Sequence, residues 1–102
     1  PGIKPPAAPG QGPGAQVFAN NGCGACHTLA AAQAGGTLGP DLDQVIPGMS
    51  KDKIHEAIVD PSAEIAQGFP DSMPSFEGKI SPQELNQLIE FLVSSAAADA
   101  NS

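Results

Sequence analysis

The clearest hydrophobic pattern in the chain is a stripe of apolar residues near its C-terminal end. The stripe has the i, i+3, i+4, i+7, i+8 spacing of one helix face. It consists of Leu85, Leu88, Ile89, Leu92 and Val93. Ser81, Pro82 and Glu84 precede it as an N-cap, a first-turn proline and a capping-box glutamate. The pattern predicts a long helix that begins after Ser81, and residues 96–102 are expected to fray into a flexible tail.

Two shorter helices are predicted earlier in the chain. Residues 15–21 carry a short helical pattern. Residues 51–59 have three apolar side chains at helical spacing, and Ser50, which directly precedes them, is a good N-cap. Pro61 is expected to end the second of these helices, because the residue before a proline disfavours helical backbone angles.

The remaining segments are predicted to be turns and loops. Helix is expected to continue over residues 28–33 until a pair of glycines breaks it, and Gly39 and Pro40 open a turn. Residues 62–79 are rich in Gly, Pro and Ser, which is typical of a loop. No run alternates as a strand would. The predicted fold class is therefore all-α with long loops.

Composition and charge limit what this chain can be. Its 102 residues make one small domain, in which four Phe are the only aromatic residues. A small domain with so few large apolar side chains often needs an additional stabilising element. The 11 acidic and 4 basic residues argue against nucleic acid or anionic lipid as a partner and would suit a basic or neutral protein surface.

The first thirteen residues differ in composition from the rest. Residues 1–13 are rich in Pro and Gly and are predicted to form an extended tether. The tether is either a disordered terminus or a spacer from a membrane anchor or a larger protein upstream of Pro1. No stretch of the chain reaches the length of a transmembrane helix.

The chemistry is concentrated in Cys23, Cys26 and His27, which form a Cys-x-x-Cys-His run, the attachment signature of c-type haem. Two thiols three positions apart can add to the two vinyl groups on one edge of a haem, and the adjacent imidazole then supplies an axial ligand. A redox dithiol or half of a zinc site shows the same cysteine spacing. The zinc site would need a second ligand pair, whereas His55 is the one other His or Cys in the chain. The dithiol would need a strand before the motif, where a helical pattern stands. One haem c attached through Cys23 and Cys26 is therefore the predicted cofactor.

A second axial ligand is expected from one of two methionines. Met73 lies in a loop, directly before Pro74, which rigidifies the backbone beside the sulfur. Met49 lies directly before the helix start at Ser50, where a Met is expected to pack as an apolar side chain. Met73 is therefore the predicted metal ligand together with His27, a pair that is usual in electron carriers.

Together these features resemble a class I mono-haem c-type cytochrome over residues 14–93. The resemblance rests on the haem motif, on the turn at residues 39–42, on the loop at residues 73–76 and on the last helix. It implies a small cytochrome c fold of about four helices and long loops wrapped around one covalently bound haem, with residues 14–95 as the domain.

The resemblance also implies two specific contacts. The first and last helices would cross tightly through Gly14 and Phe18 on one side and Leu88 and Phe91 on the other. The carbonyl of Pro40 would accept the Nδ1 proton of His27 and thereby fix the tautomer and orientation of the imidazole.

A narrower resemblance concerns residues 58–69, which are similar to the corresponding segment of cytochrome c domains attached to, or serving, haem–copper terminal oxidases. The implied function is one-electron transfer in an extracytoplasmic respiratory or photosynthetic chain, in the bacterial periplasm or on the outer face of the cytoplasmic membrane. The implied partners of this monomer are a membrane reductase or a photosynthetic complex, with a haem–copper oxidase as one candidate acceptor. No catalytic residue is expected. The alternatives are a small peroxidase-like haem enzyme and a gas-binding sensor module.

Several other polar residues have weaker interpretations. Gln44, Gln67 and Lys79 are candidate partners for the haem propionates. His55 is expected to be a partly exposed helix residue rather than an iron ligand. Asp41 and its neighbour Asp43 are expected to stabilise the turn after Pro40.

Overall fold

The computed structural model describes residues 12–100, with side chains through residue 96. Most of the predicted tether, residues 1–11, lies outside the described residues. The helices and strands follow in the order α1 (Pro13–Asn20), β1 (Thr28–Leu29), β2 (Ala34–Gly35), α2 (Leu42–Val45), α3 (Lys51–Val59) and α4 (Pro82–Ala100). Single 3₁₀ turns lie at Cys23–Ala25, Ala30–Ala32, Ile46–Gly48 and Pro61–Ala63. The described residues thus have four α-helices, the number that the resemblance implies.

Helix α4 supplies many of the buried side chains of the core, and it begins where its capping signals predict. The amide of Glu84 donates to Ser81 Oγ at 3.2 Å, and the amide of Ser81 donates to Glu84 Oε1 at 3.3 Å, so the capping box is complete. Four of the five stripe residues are buried, and Val93 packs against them. The prediction of this helix is confirmed.

The structure corrects the predicted start of the C-terminal tail. Helix α4 continues through Ala100, and Ala96 is fully buried. Alanine has the highest helix propensity, and Ala96 extends the face that Leu88 and Leu92 present at intervals of four residues. The helical backbone therefore does not end at residue 96. Residues 101–102 of the predicted tail lie outside the described residues.

Helix α1 crosses α4 at close range, as the resemblance implies. Pro13 occupies the first turn of α1, one residue before the predicted start of the domain. A Cβ on Gly14 would overlap with the carbonyl oxygen of Gln87 and lie 2.5 Å from the Cβ of Phe91. The rings of Phe18 and Phe91 meet edge to face, with centroids 5.9 Å apart. The predicted crossing is confirmed at these residues.

The helix predicted over residues 28–33 is wrong, and so is the expectation that the chain has no strand. Thr28 pairs with Gly35 and Leu29 with Ala34 in a two-residue antiparallel ladder. Thr28 Oγ1 also donates to the carbonyl of Gly36 at 2.9 Å. The side chain of Leu29 is fully buried. Burial of Leu29 and closure by Thr28 stabilise the hairpin over the helix that the local alanines favour.

In the middle of the chain, side chains cap the N-terminal ends of two helices, α2 and α3. Asp41 Oδ1 accepts from the amide of Asp43 at 3.0 Å and begins α2, a helix that the sequence analysis did not predict. Asp43 Oδ2 accepts from the amide of Ala30 at 2.9 Å. Helix α3 begins at its predicted N-cap, because Ser50 Oγ accepts from the amide of Lys53 at 3.2 Å. The prediction of α3 is confirmed, and so is the stabilising role of Asp41 in the turn, whereas the Asp43 side chain is seen to bond to Ala30 in the hairpin segment.

None of the helices in the described part of the chain combines the length and the apolar character that a membrane crossing requires.

Candidate cofactor site

A cavity of about 500 Å³ opens between the helices and the long loop that precedes α4. This volume lies within the range of about 300–1,000 Å³ that is usual for small-molecule and cofactor sites. All five residues predicted as site residues line it. They are Cys23, Cys26, His27, Pro40 and Met73. Apolar side chains of α1, α3 and α4 complete the lining, among them Phe18, Ile54 and Leu88.

The 3₁₀ turn at Cys23–Ala25 shapes the edge that carries the two thiols. The carbonyl of Cys23 accepts from the amide of Cys26 at 3.3 Å and from the amide of His27 at 3.0 Å. Both cysteines are free and half-buried. Burial raises the pKa of the Cys23 thiol. A backbone hydrogen bond lowers this pKa to a smaller extent, and the nearby Cys26 raises it slightly further. Two thiols and an imidazole thus lie on one short backbone turn at the cavity wall.

The imidazole of His27 is held by the turn at residues 39 and 40. Its Nδ1 lies 2.7 Å from the carbonyl oxygen of Pro40, which is the contact that the resemblance implies. A carbonyl can only accept, so Nδ1 carries the proton and Nε2 keeps its lone pair for a metal. The amide of Gly39 donates to the carbonyl of Cys26 at 2.6 Å and ties the turn to the cysteine segment.

Gly39 leaves no room beside this imidazole. A Cβ at residue 39 would lie 2.6 Å from Cε1 and 2.9 Å from Nδ1 of His27. We expect Gly39→Ala to displace the ring and lengthen the hydrogen bond to Pro40. The imidazole should then be a weaker donor, because the bond to Pro40 raises its basicity, so the Soret spectrum of the haem-loaded protein should change and its reduction potential should rise. Gly48→Ala is the control, because nothing lies within 4 Å of a Cβ there. Identical spectra and potentials for both variants would contradict the expected crowding.

The two methionines both line the cavity and are both half-buried. Met49 also packs against the buried core cluster, as predicted for an ordinary apolar side chain. Met73 stands instead in the loop before α4, and this loop is attached to the end of α3. Ser75 Oγ donates to the carbonyl of Val59 at 2.6 Å, and the amide of Phe76 donates to the carbonyl of Ile58 at 3.1 Å. The choice of Met73 over Met49 as the iron ligand stays a prediction.

The candidate propionate partners are not among the residues that line the cavity. All three, Gln44, Gln67 and Lys79, are exposed. The lining includes further polar side chains whose place there the sequence did not predict, among them Asn21 and Lys53. The i, i+3 spacing of Lys53 and Glu56, which pair at 3.5 Å, was a signal in the sequence for Lys53, whereas Asn21 had none.

The rival zinc site finds no support in the described residues. His55 is exposed on α3 and does not line the cavity. No group of three or more His, Cys, Asp or Glu side chains within residues 12–96 could hold a metal ion. The donors in the cavity instead include those of the haem c attachment motif, namely two thiols and an imidazole with an available Nε2.

Comparison with known families agrees with this donor set. A family model described as Cytochrome c matches residues 12–96. Comparisons with curated proteins and with solved structures gave no significant match. Cytochrome c domains carry covalent haem c, and Cys23 and Cys26 are the only cysteines available to attach it. The chain therefore belongs to the cytochrome c family, as a class I c-type cytochrome with haem c attached through Cys23 and Cys26.

Proposed function

We propose that this haem electron carrier uses His27 and Met73 as its two axial ligands and makes no bond to a substrate. When bound, haem c supplies one-electron Fe(III)/Fe(II) chemistry. The main support for the proposal is that both thiols, the imidazole and the Met73 thioether line one and the same cavity. Two protein ligands leave no position for a substrate, and a thioether favours the ferrous state and raises the potential.

The rest of the cavity supports the same role. The Pro40 carbonyl holds His27 in one tautomer, so the imidazole need not reorient when the iron changes charge. Phe18, Phe76 and Leu88 give the cavity a largely apolar lining that suits a porphyrin. The loop that carries Met73, residues 60–75, is called the methionine loop below. Because α1, α3, α4 and the methionine loop all contribute to the lining, we propose that they wrap around the bound haem.

We propose a redox partner with a basic or neutral docking surface. The chain carries a net charge of −7 at pH 7. Four acidic side chains of α3 and the following loop reach the cavity lining. They are Glu56, Asp60, Glu64 and Asp71. Lys53 is the one basic residue among the lining residues, and it is already paired with Glu56 and Glu64. Opposite charge on a partner would therefore accelerate encounter.

The cellular setting is also a proposal. The resemblance of residues 58–69 to oxidase-associated cytochrome c domains supports an extracytoplasmic electron-transfer chain, with a membrane reductase or a photosynthetic complex as donor or acceptor and a haem–copper oxidase as one candidate acceptor. The Pro- and Gly-rich composition of residues 1–13 supports a tether ahead of a domain over residues 14–95.

The function is tested on the haem-loaded protein. We expect a reversible one-electron titration, the weak charge-transfer absorption band that reports iron–sulfur bonding in the oxidised form, and no binding of CO by the native reduced form. Rapid CO binding would contradict the carrier and favour a gas-binding module. Turnover of hydrogen peroxide with a reducing substrate, in the absence of that band, would instead favour a peroxidase.

A further inference from the structure

The segment that carries Met73 leaves α3 and returns to the same end of that helix. It departs at Asp60 and comes back at Ser75, so its two ends are close together, and most of the segment between them lines the cavity. Its length and closed base match an Ω-loop, a class of about 6–16 residues. Most of its side chains are exposed, including Ile65 at 44%. Two further contacts hold the loop, a bond from the Ser62 hydroxyl to Asp71 within it and the ion pair of Glu64 with Lys53 on α3. Both are exposed and therefore weak, so closure of the base contributes strongly to the position of the loop.

The base is closed on the last carbonyls of α3, which have no partner within the helix. The hydroxyl of Ser75 donates to the carbonyl of Val59 at 2.6 Å, and the amide of Phe76 donates to the carbonyl of Ile58 at 3.1 Å. The same hydroxyl accepts from the amide of Glu77 at 3.2 Å. One side chain thus caps α3 and fixes the turn that follows the methionine.

Helix α3 is a rigid reference for this attachment. Its Ile54 and Ile58 are buried in the core at 1% and 6% exposure. Beyond Ser75, the chain is held in turn by Phe76, which packs against the core, and by the buried Ile80. The Ser75 hydroxyl therefore lies at the junction between a loop with little burial of its own and a packed scaffold, two residues from Met73.

We propose that Ser75 is a positioning residue for the Met73 thioether, acting as a latch that sets how often the methionine loop opens. The consequence for the iron rests on the proposed ligation by Met73, whereas the hydrogen bonds of the Ser75 hydroxyl do not depend on which residue binds the iron. When the latch is closed, the sulfur stays within reach of the iron. When the loop opens, Met73 moves away and an external ligand can enter.

The test is Ser75→Ala in the haem-loaded protein. Loss of one hydrogen bond of ordinary net strength should raise the population of the open loop about two- to twelve-fold. The rate at which imidazole binds to the oxidised protein should rise by the same factor. Native-state hydrogen exchange of the Phe76 amide should accelerate in parallel, while amides in the crossing of α1 and α4 keep their wild-type rates.

Two further variants make the result specific. Ser94→Ala removes a matched hydroxyl, which donates to the carbonyl of Glu90 at 2.8 Å on α4, and should leave both rates unchanged. Ser75→Thr keeps a hydroxyl and should restore the wild-type rates.

Exchange at Phe76 that is the same in Ser75→Ala, Ser94→Ala and wild type would overturn the latch. Failure of the proposed ligation looks different. In that case Met73→Ala would leave the imidazole rate unchanged, while the exchange comparison would still decide the role of Ser75.

Discussion

Met73→Ala should lower the reduction potential of the haem-loaded protein by on the order of 0.1 V or more, within the span of about 0.8 V over which axial ligands set haem potentials. The thioether stabilises the ferrous state, so its removal favours the ferric state. The same substitution removes the proposed sixth ligand. The reduced variant should therefore bind CO, and its oxidised form should lose the band that reports iron–sulfur bonding. A spectroelectrochemical titration and a CO difference spectrum measure both effects.

Met49 provides the matched control, because both methionines are half-buried at the wall of the same cavity. Met73→Leu and Met49→Leu each remove a sulfur at nearly constant volume, which usually costs under about 1.5 kcal/mol of stability. We expect the large fall in potential in the first variant alone. A fall confined to Met49→Leu would identify Met49 as the ligand, and equal, small changes in both would mean that neither sulfur binds the iron.

The helices with local capping signals were predictable because those signals act within a few residues. Ser50 and Ser81 each sit three residues before the amide that their hydroxyls accept from, so the sequence alone predicts where α3 and α4 begin. The hairpin at residues 28–35 was not predictable in this way. Its alanines favour helix locally, and the burial of Leu29 that overrides them depends on the whole fold.

The residues of the cofactor site were also predictable from the sequence only where the signal is local. The spacing of Cys23, Cys26 and His27 places them on one turn, so their chemistry can be read from a short segment. The contact between His27 and Pro40 spans thirteen positions and followed from family resemblance rather than from local pattern. Ser75 gave no signal, because its importance comes from a carbonyl sixteen positions away. The latch could be seen only once the loop and the end of α3 were in place together.

The tight crossing of α1 and α4 leads to the second large effect, a loss of stability in Gly14→Val. A single Cβ at residue 14 would already overlap with the carbonyl of Gln87, which lies inside α4 and cannot swing aside as a side-chain end can. The helices would have to separate, and the contact between Phe18 and Phe91 would loosen with them. We expect the free energy of unfolding to fall by about 3 kcal/mol, which is the upper end of the usual cost of overpacking.

Chemical unfolding of the haem-loaded protein, followed by circular dichroism and by haem absorbance, measures this loss. Gly14→Ala and Gly48→Ala form the matched pair, because both add one methyl group but only the first meets a neighbour. Gly14→Ala should lie between wild type and Gly14→Val, since overlap with a backbone carbonyl outweighs the gain in helix propensity of about 1 kcal/mol. Gly48→Ala should be neutral or slightly stabilising. Equal stabilities for these two alanine variants would mean that α1 and α4 can move apart at little cost. Because Phe18 and Leu88 line the cavity from these two helices, haem retention in Gly14→Val should decline together with stability.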